Sequence, residues 1–515
     1  MLRFESYKIG AAVSTILNVV NKGLLFFISV IALYFFGPEG TTGIYFYAYN
    51  TVFYIATFIN NLNASVIIPE SMRIRINEGE RESMRFLNSF IYMYAGISVL
   101  LCVVFFLHPL KAFITISRFD ESLLAANETL LVLAVPLILL MTVTNLLADI
   151  LVSYKYFSMP MVVGVLNGVC AILFVVLFHG VWGIKSLFYG LLVSYGTNLA
   201  ILLSLMFRKI GWKFEWAFYK IGKRIWRNTL FSQLGSLSSV LVVYIPYYLL
   251  SVFGSGAVTA VTLTQQIAAM PAALITTHFS SVVGVKLNEL SAWKDYSKMG
   301  DVFLRSSIFM LFLVIPCSGL IFLYADNIMQ ILFTKGEDIG QWGRNAVEML
   351  KILSFSIPLL IISNFFSRLF MATHKIRQGC WYQIALNVVY VIAMIFLVKT
   401  IGYLAYPVCY AGVYSLSYLL GIVYQYKYFP YLNFWQIMKH TGLLMLMNVV
   451  ICLVVYWVRP LWLGEAGFNV YTDLIAGSIL YVALVAVGGA VMRIHKLINV
   501  NLPFLKTATN TGNER

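Results

Sequence analysis

Apolar stretches long enough to cross a bilayer recur along almost the whole chain, separated by short polar breaks. Their lengths predict about fourteen membrane-spanning helices. Six fall near 10–36, 43–68, 87–107, 128–152, 159–179 and 184–206, and six more near 229–253, 257–285, 303–325, 347–371, 379–399 and 402–424. Two fall near 436–457 and 469–492, followed by a polar tail over 498–515 that is predicted to be disordered. The first run is too long for the core of a cleavable signal peptide and is taken as a full span.

Basic residues check that count. With both termini inside, the inner segments hold 26 of the 36 Lys and Arg, the outer loops hold 8, and Lys22 and Arg368 fall within helices. That is the asymmetry of the positive-inside rule, which a missed or invented helix would scramble. The chain also repeats itself. FLNSFIYM at 86–93 and FLRSSIFM at 303–310 share five identities at an offset of 217, and Phe36-Gly37 matches Phe253-Gly254 at the same offset. Ser65-Val66 matches Ser281-Val282 at 216. Six helices per repeat give the two halves the same orientation, so a pseudo-twofold along the membrane normal is expected, as in alternating-access transporters. The organisation predicted is an all-α polytopic membrane protein. An N-lobe (1–206), a basic interfacial linker (207–228) and a C-lobe (229–426) are followed by two further helices (427–497) and the tail.

Composition narrows the class. The chain is 60% hydrophobic and 11% charged, against roughly 25% charged residues in soluble domains. A soluble enzyme, a fibre or a disordered chain is excluded. The net charge of +15 would suggest nucleic acid in a soluble protein, but here topology accounts for it and no nucleic-acid partner is implied. The linker from Arg208 to Arg227 combines seven cations with Trp212, Trp216 and Trp226. That pattern fits a segment lying among anionic membrane lipids. The six cysteines all lie in apolar stretches without a CxxC or a nearby His, which reads as small buried hydrophobes.

Catalytic signatures are missing. The sequence has no GxxxxGK[ST] loop, no HExxH and no Cys/His cluster. No enzyme activity, cofactor or metal site is expected. The longest outer loop, about 326–346, carries Asp326, Glu337 and Asp338 with no evident carboxylate pair.

Chemistry is therefore sought in polar groups at membrane depth. Lys22 sits at the midpoint of the first helix beside Asn21 and one turn from Asn18. A cation there costs on the order of 3 kcal/mol to insert, so a cavity-facing anion site is expected. The second helix carries Asn60, Asn61 and Asn63, and the eighth carries Gln265, Gln266 and His278 around Pro271. Polar groups on equivalent helices of two repeats are where a substrate site is expected, and His278 is a candidate proton-coupling group. Arg368 lies toward the inner end of the tenth helix, where snorkelling to headgroups accounts for it and a part in the inner gate is the other reading. Glu70 and Lys286 occupy equivalent inner ends of helices two and eight and are candidates for an inner gate. Asp149 is placed near the inner end of the fourth helix and is not assigned to the site.

Several segments resemble MviN/MurJ-type lipid II flippases: FFGPEGTTGIYFYAYN with SVIIPESMR, GSGAVTAVTLTQQIAAMPAALITTHFSSVVGVKLNEL, IPCSGLIFLYADNIMQILFTKGEDI and FFSRLFMATHKIRQG. More broadly the chain resembles the multidrug/oligosaccharidyl-lipid/polysaccharide exporter superfamily, including O-antigen-type flippases. The resemblance implies a cationic cavity between two lobes for a pyrophosphate headgroup, and a groove on helices 13 and 14 for a polyprenyl tail. Lys22 falls where that family has a helix 1 Arg. Its other cationic positions fall near Ile28, near Ala56 and Thr57, and on Gln266, which are uncharged here. The expected function is flipping of a polyprenyl-pyrophosphate-linked oligosaccharide, lipid II or a surface-polysaccharide precursor, from the inner to the outer leaflet. The protein is expected to be a monomer in the bacterial inner membrane, with both termini cytoplasmic and any coupled ion left open. The alternative is a cation-coupled multidrug exporter, which requires a buried carboxylate; the scarcity of Asp and Glu at mid-depth argues against it.

Overall fold

The computed structural model describes residues 7–492 apart from 39, 157, 217–218, 335–339, 374 and 466–468. The polar tail, Glu337 and Asp338 lie outside the described residues, as do the side chains of Asn18 and His278. Thirteen apolar segments are long enough to span a membrane. One of them runs for 52 residues and contains two helices separated by the turn Gly402–Leu404, where Gly402 adopts a φ of +60°. That makes the fourteen predicted.

The first six are α1 (Tyr7–Phe36), α2 (Thr41–Leu62), α3 (Glu80–Leu107), α4 (Pro136–Ser153), α5 (Ser158–Trp182) and α6 (Lys185–Leu205). The next six are α7 (Lys223–Leu250), α8 (Ser255–Pro271), α9 (Tyr296–Leu323), α10 (Gly340–Ala372), α11 (Ile376–Ile401) and α12 (Ala405–Tyr428). Two more, α13 (Phe434–Glu465) and α14 (Val470–Val491), complete the set.

Local geometry repeats where the sequence does. Gly37 after α1 and Gly254 after α7 have φ of +76° and +99°, a region that costs an L side chain but not glycine. Each turn leads straight into the next helix. Both α2 and α8 then pass through a π-helical turn, Asn63–Ile67 and Ala272–Thr276, before continuing as Ile68–Asn77 and Thr277–Ala292. Both α3 and α9 are followed at once by a short helix, Pro109–Thr115 and Ala325–Thr334.

Packing divides the chain into two compact units whose boundaries differ from the sequence halves. Unit one comprises Met1–Leu263, Leu332–Ala346 and Gln383–Tyr406; unit two comprises Thr264–Ile331, Val347–Tyr382 and Pro407–Arg515. Unit one therefore holds α1 to α6 together with α7, the first half of α8, the start of α10 and most of α11. Hydrogen bonds and glycines explain the grouping. Asn61 on α2 donates to Ser236 Oγ on α7, Ser65 Oγ meets Ser232 Oγ at 2.7 Å, and Asn387 Nδ2 donates to Ser238 Oγ at 3.0 Å. Asn50 Nδ2 donates to Thr262 Oγ1 at 3.3 Å. A Cβ placed on Gly43 would lie 2.2 Å from the Ser255 carbonyl oxygen, and one on Gly256 would lie 2.2 Å from Trp342 Cδ1. Backbones approach this closely only where no side chain intervenes.

The linker is strapped to α3. Trp212 is buried and donates Nε1–H to Asn88 Oδ1 at 2.8 Å, while Asn88 Nδ2 donates to the Lys213 carbonyl at 2.8 Å. Glu215 accepts from Arg85 Nε at 2.9 Å and from Arg81 Nη2 at 3.2 Å. Its carboxyl is held below the usual range, chiefly by the Arg85 hydrogen bond. Trp216 stays largely exposed and stacks on Tyr92 at 4.9 Å.

In unit two, α14 lies flush against its neighbours through glycines. A Cβ on Gly489 would sit 2.7 Å from the Phe312 ring, and one on Gly488 would sit 2.7 Å from Met447 Sδ. At the far end Arg459 of α13 donates Nε–H to Asp473 Oδ2 of α14 at 3.0 Å, and Nη2–H to Asn327 Oδ1 at 2.7 Å. Asn327 Nδ2 closes the triangle to Asp473 Oδ2 at 2.7 Å, and Asp473 is 1% exposed.

Candidate functional site

Within unit one, five helices surround a cavity of about 460 Å³. Each contributes at least one polar side chain, and α2, α4 and α6 contribute two or more at helical spacing. Asn21 comes from α1; Thr57, Asn60 and Asn61 from α2; Thr144, Asn145 and Asp149 from α4. Asn167 of α5 and Tyr195 and Asn198 of α6 complete the polar wall, with Phe53, Leu25 and Ile28 among the apolar lining. Glycines on α5 let α1 in. A Cβ on Gly164 would lie 3.0 Å from Asn21 Nδ2, and one on Gly168 would lie 2.9 Å from Leu24 Cβ.

A cavity walled by amides offers donors and acceptors in equal number. Several are unused. The carbonyl oxygens of Asn167 and Asn198 and the amide nitrogen of Asn60 are buried without a hydrogen-bond partner. Such groups cost free energy unless something in the cavity meets them.

Among the described residues lining the cavity, Asp149 is the one carboxylate. Its Oδ2 accepts from Asn63 Nδ2 at 2.8 Å, and Asn63 Oδ1 accepts from the Tyr94 hydroxyl at 2.8 Å. Asn63 opens the π-helical turn of α2. Such turns shift the register of the following side chains and recur at functional sites.

The other expected site residues distribute unevenly. Asn21 and Asn61 line the same cavity. Lys22 does not line it: the side chain is exposed on α1 and has no ion pair among the described residues. Gln265 and Gln266 are half-buried on α8 in unit two, and Gln266 Oε1 is a buried acceptor without a partner. Glu70 pairs with Arg73 on its own helix, its Oε1 accepting from Arg73 Nε at 2.8 Å. Lys286 likewise pairs with Glu289 at 2.9 Å and lies 5.3 Å from the centre of the Trp293 ring. Arg368 is exposed on α10, its Cδ 3.7 Å from where a Cβ on Gly284 would lie.

Sequence reasoning missed Asp149, Asn145, Asn167 and Asn198. The signal was present as spacing: Asn145 and Asp149 are four apart on α4, and Tyr195 and Asn198 three apart on α6. Treating Asp149 as a helix-end residue hid it. It lies one turn inside α4, and that turn faces the cavity.

A second cavity, about 630 Å³, lies in unit two and is almost wholly apolar. Ile315 and Phe322 of α9, Phe355 and Pro358 of α10, and Val449 and Leu453 of α13 wall it. The groove expected on α13 and α14 differs from this arrangement. The glycines of α14 seat it against α9 and α13, and the cavity is lined by α9, α10 and α13.

Known proteins share this architecture. A structure described as lipid II flippase MurJ in an inward closed conformation superposes with a TM-score of 0.74 at 16% identity, covering 94% of this chain and 99% of that one. An inward-facing multidrug resistance MATE family transporter superposes with a TM-score of 0.63 at 16% identity, covering 84% and 98%. These likenesses establish the fold. In sequence, a probable lipid II flippase MurJ of Borreliella burgdorferi is 22% identical over 403 residues, 76% of this chain and 78% of the relative. A probable lipid II flippase MurJ of Buchnera aphidicola is 22% identical over 380 residues, 68% of this chain and 71% of the relative. The lipid II flippase MurJ family matches residues 31–476, most of the length of the chain, and the protein is a multi-pass membrane member of that family.

Proposed function

We propose that this protein flips a polyprenyl-pyrophosphate-linked oligosaccharide, lipid II or a chemically related surface-polysaccharide precursor, from the inner to the outer leaflet of the bacterial inner membrane. The observation that carries the proposal is membership of the flippase family over residues 31–476. The physical requirements fit. A glycan-pyrophosphate head cannot cross about 30 Å of hydrocarbon unaided, whereas its prenyl tail remains in lipid. Such a cargo requires a polar cavity, a cation for the phosphates and apolar surface for the tail. The amide-lined cavity beside Asn21, the exposed Lys22 and the apolar cavity at α13 are candidates for those three parts.

Lys22 serves as the headgroup anchor in this reading, with Asn21 and Asn61 of unit one contacting the glycan; Gln265 and Gln266 of unit two are separate candidates for glycan contact. Glu70 and Lys286 remain candidates for the inner gate. The inner side is taken as the side of the basic linker, whose cations and exposed Trp216 suit anionic lipid headgroups. An inside-negative potential then favours outward passage of a doubly charged head by roughly 2.3 kcal/mol per charge per 100 mV. The protein acts as a transporter, without a chemical step.

Native mass spectrometry of the purified protein titrated with an undecaprenyl-pyrophosphate disaccharide tests the anchor. Saturable binding weakened about tenfold by Lys22→Gln is expected. Binding of cationic drugs in place of the glycolipid would overturn the flippase reading and favour an exporter of the same fold.

A further inference from the structure

Asp149 is the feature of the molecule that headgroup recognition does not use. A carboxylate repels a pyrophosphate, so its position on the wall of the same cavity as Asn21 and Asn61 needs another explanation. We propose that Asp149 and the amide-lined cavity of unit one form a monovalent cation site, occupied by a proton or a sodium ion.

Three observations carry this. First, the carboxylate is half satisfied. Oδ2 accepts from Asn63 Nδ2 at 2.8 Å, while Oδ1 has no hydrogen bond among the described residues and belongs to the cavity wall. Second, among the described residues no positive side chain compensates it. On α2 and its continuation the facing groups are Asn60, Asn61 and Asn63; on α3 the neighbour is Tyr94; on α5 and α6 they are Asn167, Tyr195 and Asn198. All are neutral amides or phenols. Arg75 binds the Ser153 carbonyl at 3.3 Å and lies over the Tyr154 ring at 3.6 Å, and Glu70 is held by Arg73. Lys22, next to Asn21 on α1, is exposed and is not among the residues that line the cavity. An anionic group within a membrane bundle without a counter-charge is expensive, and such residues mark ion or proton pathways.

Third, the cavity supplies the remaining ligands of a hard cation. The buried Oδ1 atoms of Asn167 and Asn198 are unpartnered acceptors on the same wall, and Thr57 and Thr144 add hydroxyls. Oxygen donors of this type suit a sodium ion, and a proton on Asp149 Oδ1 could instead be donated to one of the same carbonyls. Asn63 links the site to the π-helical turn of α2. Neutralising Asp149 would therefore change the hydrogen bonding at the point where α2 departs from α-helical geometry.

The site can be tested without any glycolipid, so the result is independent of the flippase reading. Purified wild-type protein is measured against Asp149→Asn and Asp149→Glu, with choline replacing sodium at constant ionic strength. Two readouts are taken: radioactive sodium binding, and an infrared carboxylic-acid band titrated over about pH 5 to 8. Saturable sodium binding, weakened at least tenfold in Asp149→Asn and kept in Asp149→Glu, supports the site with sodium as the ion. A titrating carboxylic-acid band that disappears in Asp149→Asn, without sodium binding, supports it with the proton as the ion. Asp149→Asn is isosteric, and a melting temperature at or above that of wild type in choline shows that it folds. Absence of both signals, or either signal unchanged in Asp149→Asn, overturns the proposal.

Discussion

Among the described glycines of unit one, Gly43 of α2 lies tightest against another segment's backbone, at Ser255 at the start of α8. The two residues come from opposite halves of the sequence repeat. A methyl group added by Gly43→Ala would lie 2.2 Å from the Ser255 carbonyl oxygen and 2.5 Å from both its carbonyl carbon and its Cβ. Ordinary contacts need about 3.4 Å, and backbone cannot swing aside as a flexible side chain can, so the two helices must separate by roughly 1 Å. Overpacking of this kind costs about 1–3 kcal/mol. In a protein that alternates between conformations, that cost falls only on the state in which this seam is closed. It shifts the equilibrium toward a state with the seam open by roughly 5- to 150-fold. Thr259 on α8 is fully buried near the seam and reports on it. In a background with the six native cysteines replaced, Thr259→Cys is exposed to a membrane-impermeant maleimide with and without Gly43→Ala. Labelling at least fivefold faster in the Gly43→Ala protein is expected. An unchanged labelling rate, with unchanged flipping, would refute the reasoning by showing that the added methyl group is accommodated without opening.

Three further outcomes follow from the same contacts. Arg459→Met removes the guanidinium that donates to buried Asp473 and should destabilise unit two by about 3–5 kcal/mol. The combined change Arg459→Met with Asp473→Leu should recover most of the lost melting temperature in detergent. Glu215, held down by Arg85 and Arg81, contributes stability that is fully present above its unfolded value near 4.3 and is lost as pH falls through its depressed folded value. Protease accessibility of the 207–228 linker should therefore rise only in the acid range, and Glu215→Gln should show the raised accessibility already at neutral pH. Gly489→Leu should drive α14 off the Phe312 ring and lower thermal stability by about 1–3 kcal/mol, measured as loss of the folded peak on size exclusion after heating.

The parts of this fold governed by one-dimensional rules were legible in the chain. Helix number followed from apolar run length and the Lys/Arg asymmetry. The repeat followed from identities at 217, and Gly37 and Gly254 prove to be matched left-handed turns. The unit boundaries were not legible. Grouping α7 with the N-terminal helices depends on Asn61, Ser65 and Asn387 finding serines on α7, a three-dimensional coincidence that hydropathy does not encode. The site was half legible for the same reason. Asn21 and Asn61 stood out as polar residues in apolar runs, whereas Asp149 lay near a helix end, where a carboxylate attracts no notice. Its place on the cavity wall shows only once five helices close around it. The cation site proposed above needs only that one carboxylate, so it does not conflict with the scarcity of acidic residues at mid-depth.

Transport itself provides the most direct test of the account. Proteoliposomes are loaded with a polyprenyl-pyrophosphate disaccharide fluorescently labelled on its head, and an impermeant reductant quenches the outer leaflet. The protein should move the protected inner pool into the quenchable pool well above the rate of empty liposomes, and Lys22→Gln should slow that movement about tenfold. A wild-type protein that leaves the protected pool intact, at either polarity of an imposed membrane potential, would contradict it.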